Sequence, residues 1–223
     1  MDEDIDTGVL FRFSPKQEVK FHHKYQHLYA WFFYGLMTVS WSIDKDFLQL
    51  YRYHRNGLLK TQQKSFPNQL ILLIMNKLFY YGYVLFLPML FLEYWWLVLI
   101  GYFTMHYVAG IILSVIFQCA HVMEENDFKL PTDSKFNETN WFEHQLKTTC
   151  NFAMNSKLIS WITGGLNFQI EHHLFPNICH VHYKKLSKIV QKTAKEFNIP
   201  YNSYNSFFTA VYHHFKFLRS LGI

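Results

Sequence analysis

Residues 69–117, QLILLIMNKLFYYGYVLFLPMLFLEYWWLVLIGYFTMHYVAGIILSVIF, decide the fold of this chain. Glu93 divides them into two apolar runs of 24 residues each, Gln69 to Leu92 and Tyr94 to Phe117. At a rise of about 1.5 Å per residue, each run forms a helix of roughly 36 Å, which is long enough to cross the hydrocarbon core of a bilayer. Because only one charged residue separates the runs, they predict a tight transmembrane helical hairpin (69–92 and 94–117).

Three residues inside the hairpin are unusual for helices that face lipid. Lys77 is expected either to snorkel towards the membrane surface or to face a neighbouring helix. Pro88 predicts a kink near the tip of the hairpin. His106 lies in mid-span, where an ionisable residue is a functional candidate by default, but a hydrogen bond to another helix is the favoured interpretation.

The composition restricts the partners of the chain. Half of the 223 residues are hydrophobic and 20% are aromatic, which is rich for a soluble domain. The formal charge is +5, with Lys and Arg clustered around the apolar blocks and in the C-terminal third, so the expected partner is the lipid bilayer with its anionic head groups. Nucleic acid is not expected, because no basic helix face with stacking aromatics occurs outside the membrane-like segments. Three cysteines without a CxxC pair favour a reducing, cytosol-facing environment.

The charges next to the hairpin orient it in the membrane. Its open ends lie on one side, beside segment 44–68, predicted as a polar linker with Lys and Arg, and beside the basic C-terminal part. By the positive-inside tendency that side is cytoplasmic. His121, four residues beyond Phe117, is therefore expected at the cytoplasmic mouth of the second span. Segment 25–43 carries no Asp, Glu, Lys or Arg and by itself allows either a spanning helix or an interfacial one.

The strongest chemical signal is NFQIEHHLFP, residues 167–176. It places two adjacent imidazoles, His172 and His173, beside a carboxylate and an amide, just before a proline that ends a helix. Such ligands suit iron or zinc. The alternative is a structural pair of histidines at a helix end, satisfied by backbone carbonyls.

The string QIEHHLFP closely resembles the third histidine box of membrane fatty-acyl desaturases, in the front-end subgroup where Gln replaces the first His of the box. The similarity continues on both sides of the box. It includes Trp141-Phe142, Gln145-Leu146, Thr148-Thr149, Asn151-Phe152, Gly164 to Asn167, Asn177 to Tyr183 and, near the start of the chain, Asp2 to Asp6 and Arg12 to Pro15. Residues 1–223 are therefore expected to be the C-terminal part of a desaturase domain, whose first box and HxxHH second box would lie before Met1.

This resemblance implies O2-dependent formation of a double bond at two non-haem irons under a largely all-His ligand set. It implies His172 and His173 as iron ligands from the box, His121 as the extra ligand from outside the boxes, and Gln169 as a weak ligand or a holder of water. No Asn stands at the matching position upstream of His121. The implied partners are a fatty acyl substrate, as acyl-CoA or acyl-lipid, and a b-type cytochrome or ferredoxin as electron donor. Because three imidazoles cannot hold two irons tightly, the chain is expected to be incomplete as an enzyme.

The resemblance also decides the remaining topology. A second box just before residue 1 can meet the third box on one side of the membrane only if segment 25–43 does not span, so this segment is predicted as an in-plane interfacial helix. Residues 121–223 are predicted as the cytosolic part that carries the histidine box. The predicted fold class is thus all-α integral membrane, with one transmembrane hairpin, interfacial helices and a cytosolic helical C-terminal part.

The other histidines receive lesser roles. His22 and His23 lack a neighbouring carboxylate and are interpreted as interfacial. His213 and His214 are interpreted as structural. For His144 two interpretations remain, an outer-shell hydrogen bond to the metal site or a plain surface histidine. A glycosylation sequon at Asn137 lies on the wrong side of the membrane for modification.

Three alternative functions compete with the desaturase. The chain could be an inactive remnant that acts as a non-catalytic membrane protein, or a related membrane lipid hydroxylase that shares the iron chemistry. A zinc hydrolase is disfavoured, because Glu171-His172-His173 lacks the spacing of HExxH.

Overall fold

The computed structural model describes residues 10–124, 126 and 139–223. The acidic start of the chain and the sequon at Asn137 lie outside these residues. The chain divides into two compact units, Met1–Ala30 with Val115–Ile223, and Trp31–Ser114. Each unit is described by itself below.

The described residues are mostly helical, which confirms the predicted all-α membrane class. Two strands of two residues each form a single parallel pair, β1 (Asn151–Phe152) and β2 (Ser203–Tyr204). The α-helices are α1 (Gln26–Ser40), α2 (Asp46–Arg55), α3 (Leu58–Thr61), α4 (Phe66–Tyr81), α5 (Leu87–Phe91), α6 (Trp95–His121), α7 (Thr139–Thr148), α8 (Lys157–Ile162), α9 (Gln169–Leu174), α10 (Tyr183–Glu196) and α11 (Phe207–Ser220). Short 3-10 helices cover Phe21–Tyr25 and His180–His182, and π-helical turns cover Trp41–Lys45 and Gly82–Phe86.

Among the residues that the structure describes, two helices are long and apolar enough to cross a membrane, as the hairpin prediction requires. The first, Phe66–Phe91, joins α4, a π-helical turn and α5, and the second is α6. The π-helical turn lies directly before Pro88, which has no N–H to donate and whose ring crowds the preceding turn. Helix α6 runs to His121, beyond the predicted end at Phe117, because the intervening residues include no helix breaker.

His106 makes the helix-to-helix hydrogen bonds that the sequence favours. Its Nδ1 lies 3.1 Å from Thr38 Oγ1, and its Nε2 lies 2.8 Å from the Tyr80 hydroxyl. The Thr38 hydroxyl also donates to the His106 carbonyl at 2.6 Å. Both ring nitrogens are therefore used structurally, which confirms the preferred interpretation of this mid-span residue.

Lys77 faces a neighbouring helical segment, which was one of its two predicted positions. Its ammonium lies 2.7 Å from the Asp46 carboxylate and donates to the carbonyls of Trp41 and Ser42 at 3.2 and 2.6 Å. The prediction of a linker over 44–68 is wrong in part, because α2 and α3 occupy much of it. Helix α2 ends at Arg55, and Gly57, two residues later, has a φ of 74°, the left-handed conformation that glycine allows just beyond a helix end.

The unit that contains the box has an apolar core between α7, α9 and α10. Ile170 and Leu174 from α9 pack with Leu146 of α7 and with Val190 and Ala194 of α10. Fully burying a side chain the size of Ile170 is worth about 2 kcal/mol. Val190 and Ala194 lie four residues apart and therefore face inward from one side of α10, and this core sets the orientation of α9.

A second set of contacts joins the beginning and the end of the same unit. The Arg12 guanidinium donates to the carbonyls of Leu221, Pro15 and Gln17 at 2.6 to 2.7 Å. The buried His214 lies with Nδ1 2.9 Å from the carbonyl of Val122, which confirms its structural role.

One histidine of the pair predicted as interfacial is internal. His23 is buried, and its Nδ1 accepts the Lys20 backbone N–H at 3.0 Å. This hydrogen bond satisfies a free backbone donor at the start of the Phe21–Tyr25 turn.

Candidate metal centre

The geometry of α9 separates the polar residues of the box onto different faces. In an α-helix successive residues are about 100° apart, so Gln169 and His173 share one face and Glu171 lies on the opposite face. The core residues Ile170 and Leu174 fix which face turns inward. The helix ends at Leu174, and Phe175 follows it directly before Pro176.

His121, Gln169 and His173 converge on one position. The Gln169 side-chain nitrogen lies 3.1 Å from His121 Nε2 and 3.3 Å from His173 Nε2, and the two imidazole centroids are 5.0 Å apart. Gln169 is only 2% exposed. The last residue of α6 and the box helix thus present two imidazoles and an amide to a single buried point.

Hydrogen bonds on the far sides of the two rings fix their orientation. The Oε1 atom of Gln145, an acceptor, lies 2.9 Å from His173 Nδ1, so that nitrogen carries the proton and Nε2 keeps its lone pair. The His121 side chain is hydrogen-bonded to the Thr148 backbone. Since an amide NH2 group donates and does not accept, both Nε2 atoms facing Gln169 carry lone pairs. Imidazoles bind metals in this neutral form.

Glu171 does not point at the histidines. Its carboxylate accepts from Asn151 Nδ2 at 2.8 Å and from the Tyr201 hydroxyl at 2.9 Å. Burial raises the pKa of the Glu171 carboxyl, and the hydrogen bonds from Asn151 and Tyr201 oppose that shift. Asn151 also accepts the backbone N–H of Ile170 at 2.9 Å. These bonds tie α9 to the β1–β2 pair.

His172 lies apart from the converging set. Its ring centroid is 5.8 Å from that of His173, and its Nδ1 lies 3.4 Å from the Tyr183 hydroxyl. Burial is the main cause that raises the pKa of Tyr183, with smaller contributions from Cys179 and Glu171. Of the four residues predicted to bind metal, the structure therefore brings three together and places the fourth beside a tyrosine.

The converging residues fit part of a metal centre. Within residues 10–124, 126 and 139–223, no group of three or more His, Cys, Asp or Glu side chains could hold a metal ion. The set at α9 has two imidazoles, and its third member is an amide. In the same part of the chain, Gln169 Oε1 is buried without a hydrogen-bond partner, which is a costly arrangement. Turning the amide over would present this oxygen, in place of the NH2 group, to a cation between the two Nε2 atoms. Borderline nitrogen donors with one oxygen suit iron, but two imidazoles need further ligands.

Three residues that support the site were not identified as such from the sequence. Gln145 occurs in the motif that carries the resemblance, yet its contact with His173 depends on how α7 packs against α9. Asn151 and Tyr201 are 50 positions apart in the sequence, and both contact Glu171 because β1 pairs with β2. Gln145 makes this contact with the box, and the outer-shell role of its neighbour His144 stays a prediction.

Comparison with known proteins gives one consistent family. The family model for fatty acid desaturase matches residues 1–205. The chain is 34% identical to the sn-1 linoleoyl-lipid 6-desaturase of Synechocystis sp., over 99% of this chain and 61% of that protein. It is 32% identical to the enzyme of the same name from Arthrospira platensis, over 100% of this chain and 60% of the relative.

A moss protein extends the comparison. The acyl-lipid (8-3)-desaturase of Physcomitrium patens is 35% identical over 99% of this chain and 45% of its own length. The chain thus spans between 45% and 61% of these three relatives. No solved structure matches the chain.

Proposed function

The chain belongs to the fatty acid desaturase family, and we propose that it is the C-terminal part of a membrane-bound fatty acyl desaturase. The proposed reaction introduces a double bond into the acyl chain of an acyl-lipid or acyl-CoA. The observation that carries the proposal is the convergence of His121, Gln169 and His173 on one buried point. These three relatives are named as lipid desaturases, which supports the acyl-lipid as substrate.

The proposed cofactor is a pair of non-haem irons. His121 and His173 would hold iron through Nε2 and Gln169 through its amide, while His172 is the fourth proposed ligand. When bound, the irons supply the oxidant made from O2 that can remove hydrogen from an unactivated methylene. Because two imidazoles and an amide do not complete such a centre, the remaining ligands are proposed to come from a segment with the first two histidine boxes.

The residues around the centre orient the ligands. Gln145 holds the His173 ring with Nε2 turned inward. Asn151 and Tyr201 hold α9 through Glu171 on its opposite face. Such outer partners raise the metal affinity of a ligand set, since the ligands need not be ordered when the metal binds.

The remaining parts of the proposal concern the surroundings. We place the histidine box on the cytoplasmic side of the membrane, because the segments next to the two apolar helices carry Lys and Arg. Helix α1 and the aromatic segment 25–43 are proposed to lie in the plane of the interface. A b-type cytochrome or a ferredoxin is the proposed electron donor.

The proposal is tested by complementation. The chain is joined to an upstream half that carries both missing boxes, expressed in a host without the activity, and the lipids are analysed by mass spectrometry for new double bonds. The joined protein should form them, and His121→Ala or His173→Ala should abolish them. His182→Ala is the matched control, because His182 is exposed and lies outside the converging set.

The other outcomes distinguish the alternatives. A hydroxylated acyl chain in place of a double bond would identify a membrane lipid hydroxylase. No product from a joined protein that accumulates in the membrane would favour the non-catalytic remnant and contradict the proposal.

A further inference from the structure

A cleft of about 250 Å³ lies beside the start of the box helix. Residues from α8, from α10 and from the His180–His182 turn line it, and Phe168, directly before Gln169, forms part of its wall. We call it the Lys157 cleft. Its polar and cationic lining includes Ser156, Lys157, Ser160, His180 and Lys184.

The charge of the Lys157 cleft is cationic. Lys157 and Lys184 line it, together with His180, and none of the described lining residues is Asp or Glu. In the part of the chain that the structure describes, neither lysine forms an ion pair. The two acidic residues of segment 151–223 are used elsewhere: Glu171 is buried in its hydrogen bonds, and Glu196 lies near Lys192. Among residues 10–124, 126 and 139–223, the cleft therefore has no counter-charge of its own, and it suits an anion.

The rim of the same cleft is apolar and exposed. Trp161 and Val181 line the cleft and are 81% and 66% exposed, and Leu158, on the same short helix as Trp161, is 64% exposed. Trp beside Lys is typical of the membrane–water interface, where the indole lies at head-group level and the ammonium reaches the anionic surface. A small anion dissolved in water would gain nothing from this rim.

We propose that the Lys157 cleft binds the anionic head group of a bilayer lipid, with Lys157 and Lys184 on the phosphate and Trp161 in the interfacial layer. The volume of the cleft, about 250 Å³, is several times the roughly 30 Å³ that one water molecule occupies in the liquid. A phosphodiester group therefore fits. Because Phe168 forms part of the wall, the bound head group lies next to the first residue of α9. The proposal stands independently of the desaturase activity.

An acidic soluble protein is the competing partner. Such a partner would satisfy the lysines, but the exposed Trp161 and Leu158 argue for lipid, since their transfer from water into the bilayer interface is favourable. The test below distinguishes the two.

The first experiment measures lipid binding by the purified full chain in a neutral detergent. Native mass spectrometry gives the affinity for dioctanoyl phosphatidylglycerol, for dioctanoyl phosphatidylcholine and for inorganic phosphate. The anionic lipid should bind at least tenfold more tightly than the other two. Each lysine at an anionic head group is worth roughly fivefold in affinity, so Lys157→Gln with Lys184→Gln should weaken binding at least tenfold.

The matched control is Lys192→Gln with Lys195→Gln. It removes the same charge from α10 outside the cleft and should change the affinity less than twofold. Equal weakening in both double variants would overturn the proposal, as would equal affinity for the two lipids. Phosphate that binds as tightly as the anionic lipid would assign the cleft to a free anion and would also overturn it.

The second experiment asks whether the rim lies in lipid. The full chain is placed in phosphatidylcholine–phosphatidylglycerol nanodiscs whose acyl chains are brominated near the head group. The emission of Trp161 is taken as the difference between the wild type and Trp161→Phe. Bromine should quench it, and unquenched emission would overturn the proposal in favour of an acidic soluble partner.

Discussion

The substitution Tyr201→Phe removes the hydroxyl that anchors the histidine box through Glu171, together with the bond that this hydroxyl accepts from Asn151. The Tyr201 hydroxyl donates to Glu171 Oε1 at 2.9 Å, and the Glu171 side chain is completely buried. The ring of Phe fills the same space, so the variant removes one donor and creates almost no cavity. Leaving a buried polar atom unsatisfied costs about 1–3 kcal/mol, and we expect about 2 kcal/mol here.

The assay is thermal unfolding of the purified full chain in detergent, followed by tryptophan fluorescence. For a chain of this size, about 2 kcal/mol corresponds to a decrease in Tm of about 4–8 °C. Tyr212→Phe is the matched control, because Tyr212 is 59% exposed, and its Tm should stay within about 1 °C, as for most exposed substitutions. A Tyr201→Phe variant as stable as the wild type would refute the idea that Glu171 anchors α9 through this bond.

Three further predictions concern other parts of the chain. Gln145→Leu removes the acceptor that orients the box imidazole and should lower the metal affinity of the joined protein by about 10–100-fold, measured by competition with a chromophoric chelator; unchanged affinity would contradict this role. Burial lowers the pKa of His214 to about 4, so the unfolded chain takes up a proton below about 6.5 while the folded chain does not. The contribution of His214 to the free energy of unfolding is therefore fully present above about pH 6.5. It decreases by up to about 1.4 kcal/mol per pH unit as the pH falls towards 4. The Tm of His214→Gln should therefore depend less on pH than the Tm of the wild type. In Gly110→Ala the new Cβ would meet the Gly35 carbonyl oxygen and should cost about 1–3 kcal/mol, whereas Gly101→Ala on the same helix meets nothing within 4 Å and should leave Tm unchanged or raise it.

The parts of the fold that depend on local sequence were predicted well. The two apolar helices follow from uninterrupted hydrophobic length, and the hydrogen bonds of His106 follow from the cost of a polar group in mid-span. Segment 44–68 was wrongly predicted as a linker because its charges resemble a loop, although Asp46 is held by Lys77 across the fold. Such a tertiary ion pair leaves no local pattern in the sequence.

In the candidate site, too, some residues were identified from the sequence and others depend on tertiary packing. His121, Gln169 and His173 were identified from the resemblance, and helix geometry explains why positions 169 and 173 meet. Their supports, Gln145 and Tyr201, come from segments whose approach depends on packing between α7, α9 and the β1–β2 pair. The interfacial placement of segment 25–43 and the cytoplasmic side of the box stay predictions.

The iron content of the joined protein shows whether the converging residues bind a metal. The protein is purified from iron-supplemented cells, and iron per polypeptide is measured by inductively coupled plasma mass spectrometry for the wild type, His121→Ala, His173→Ala and the control His182→Ala. The wild type and the control should retain iron, and each of the two ligand variants should lose most of it. Wild-type iron content in both His121→Ala and His173→Ala would show that the converging residues are not ligands and would contradict the account.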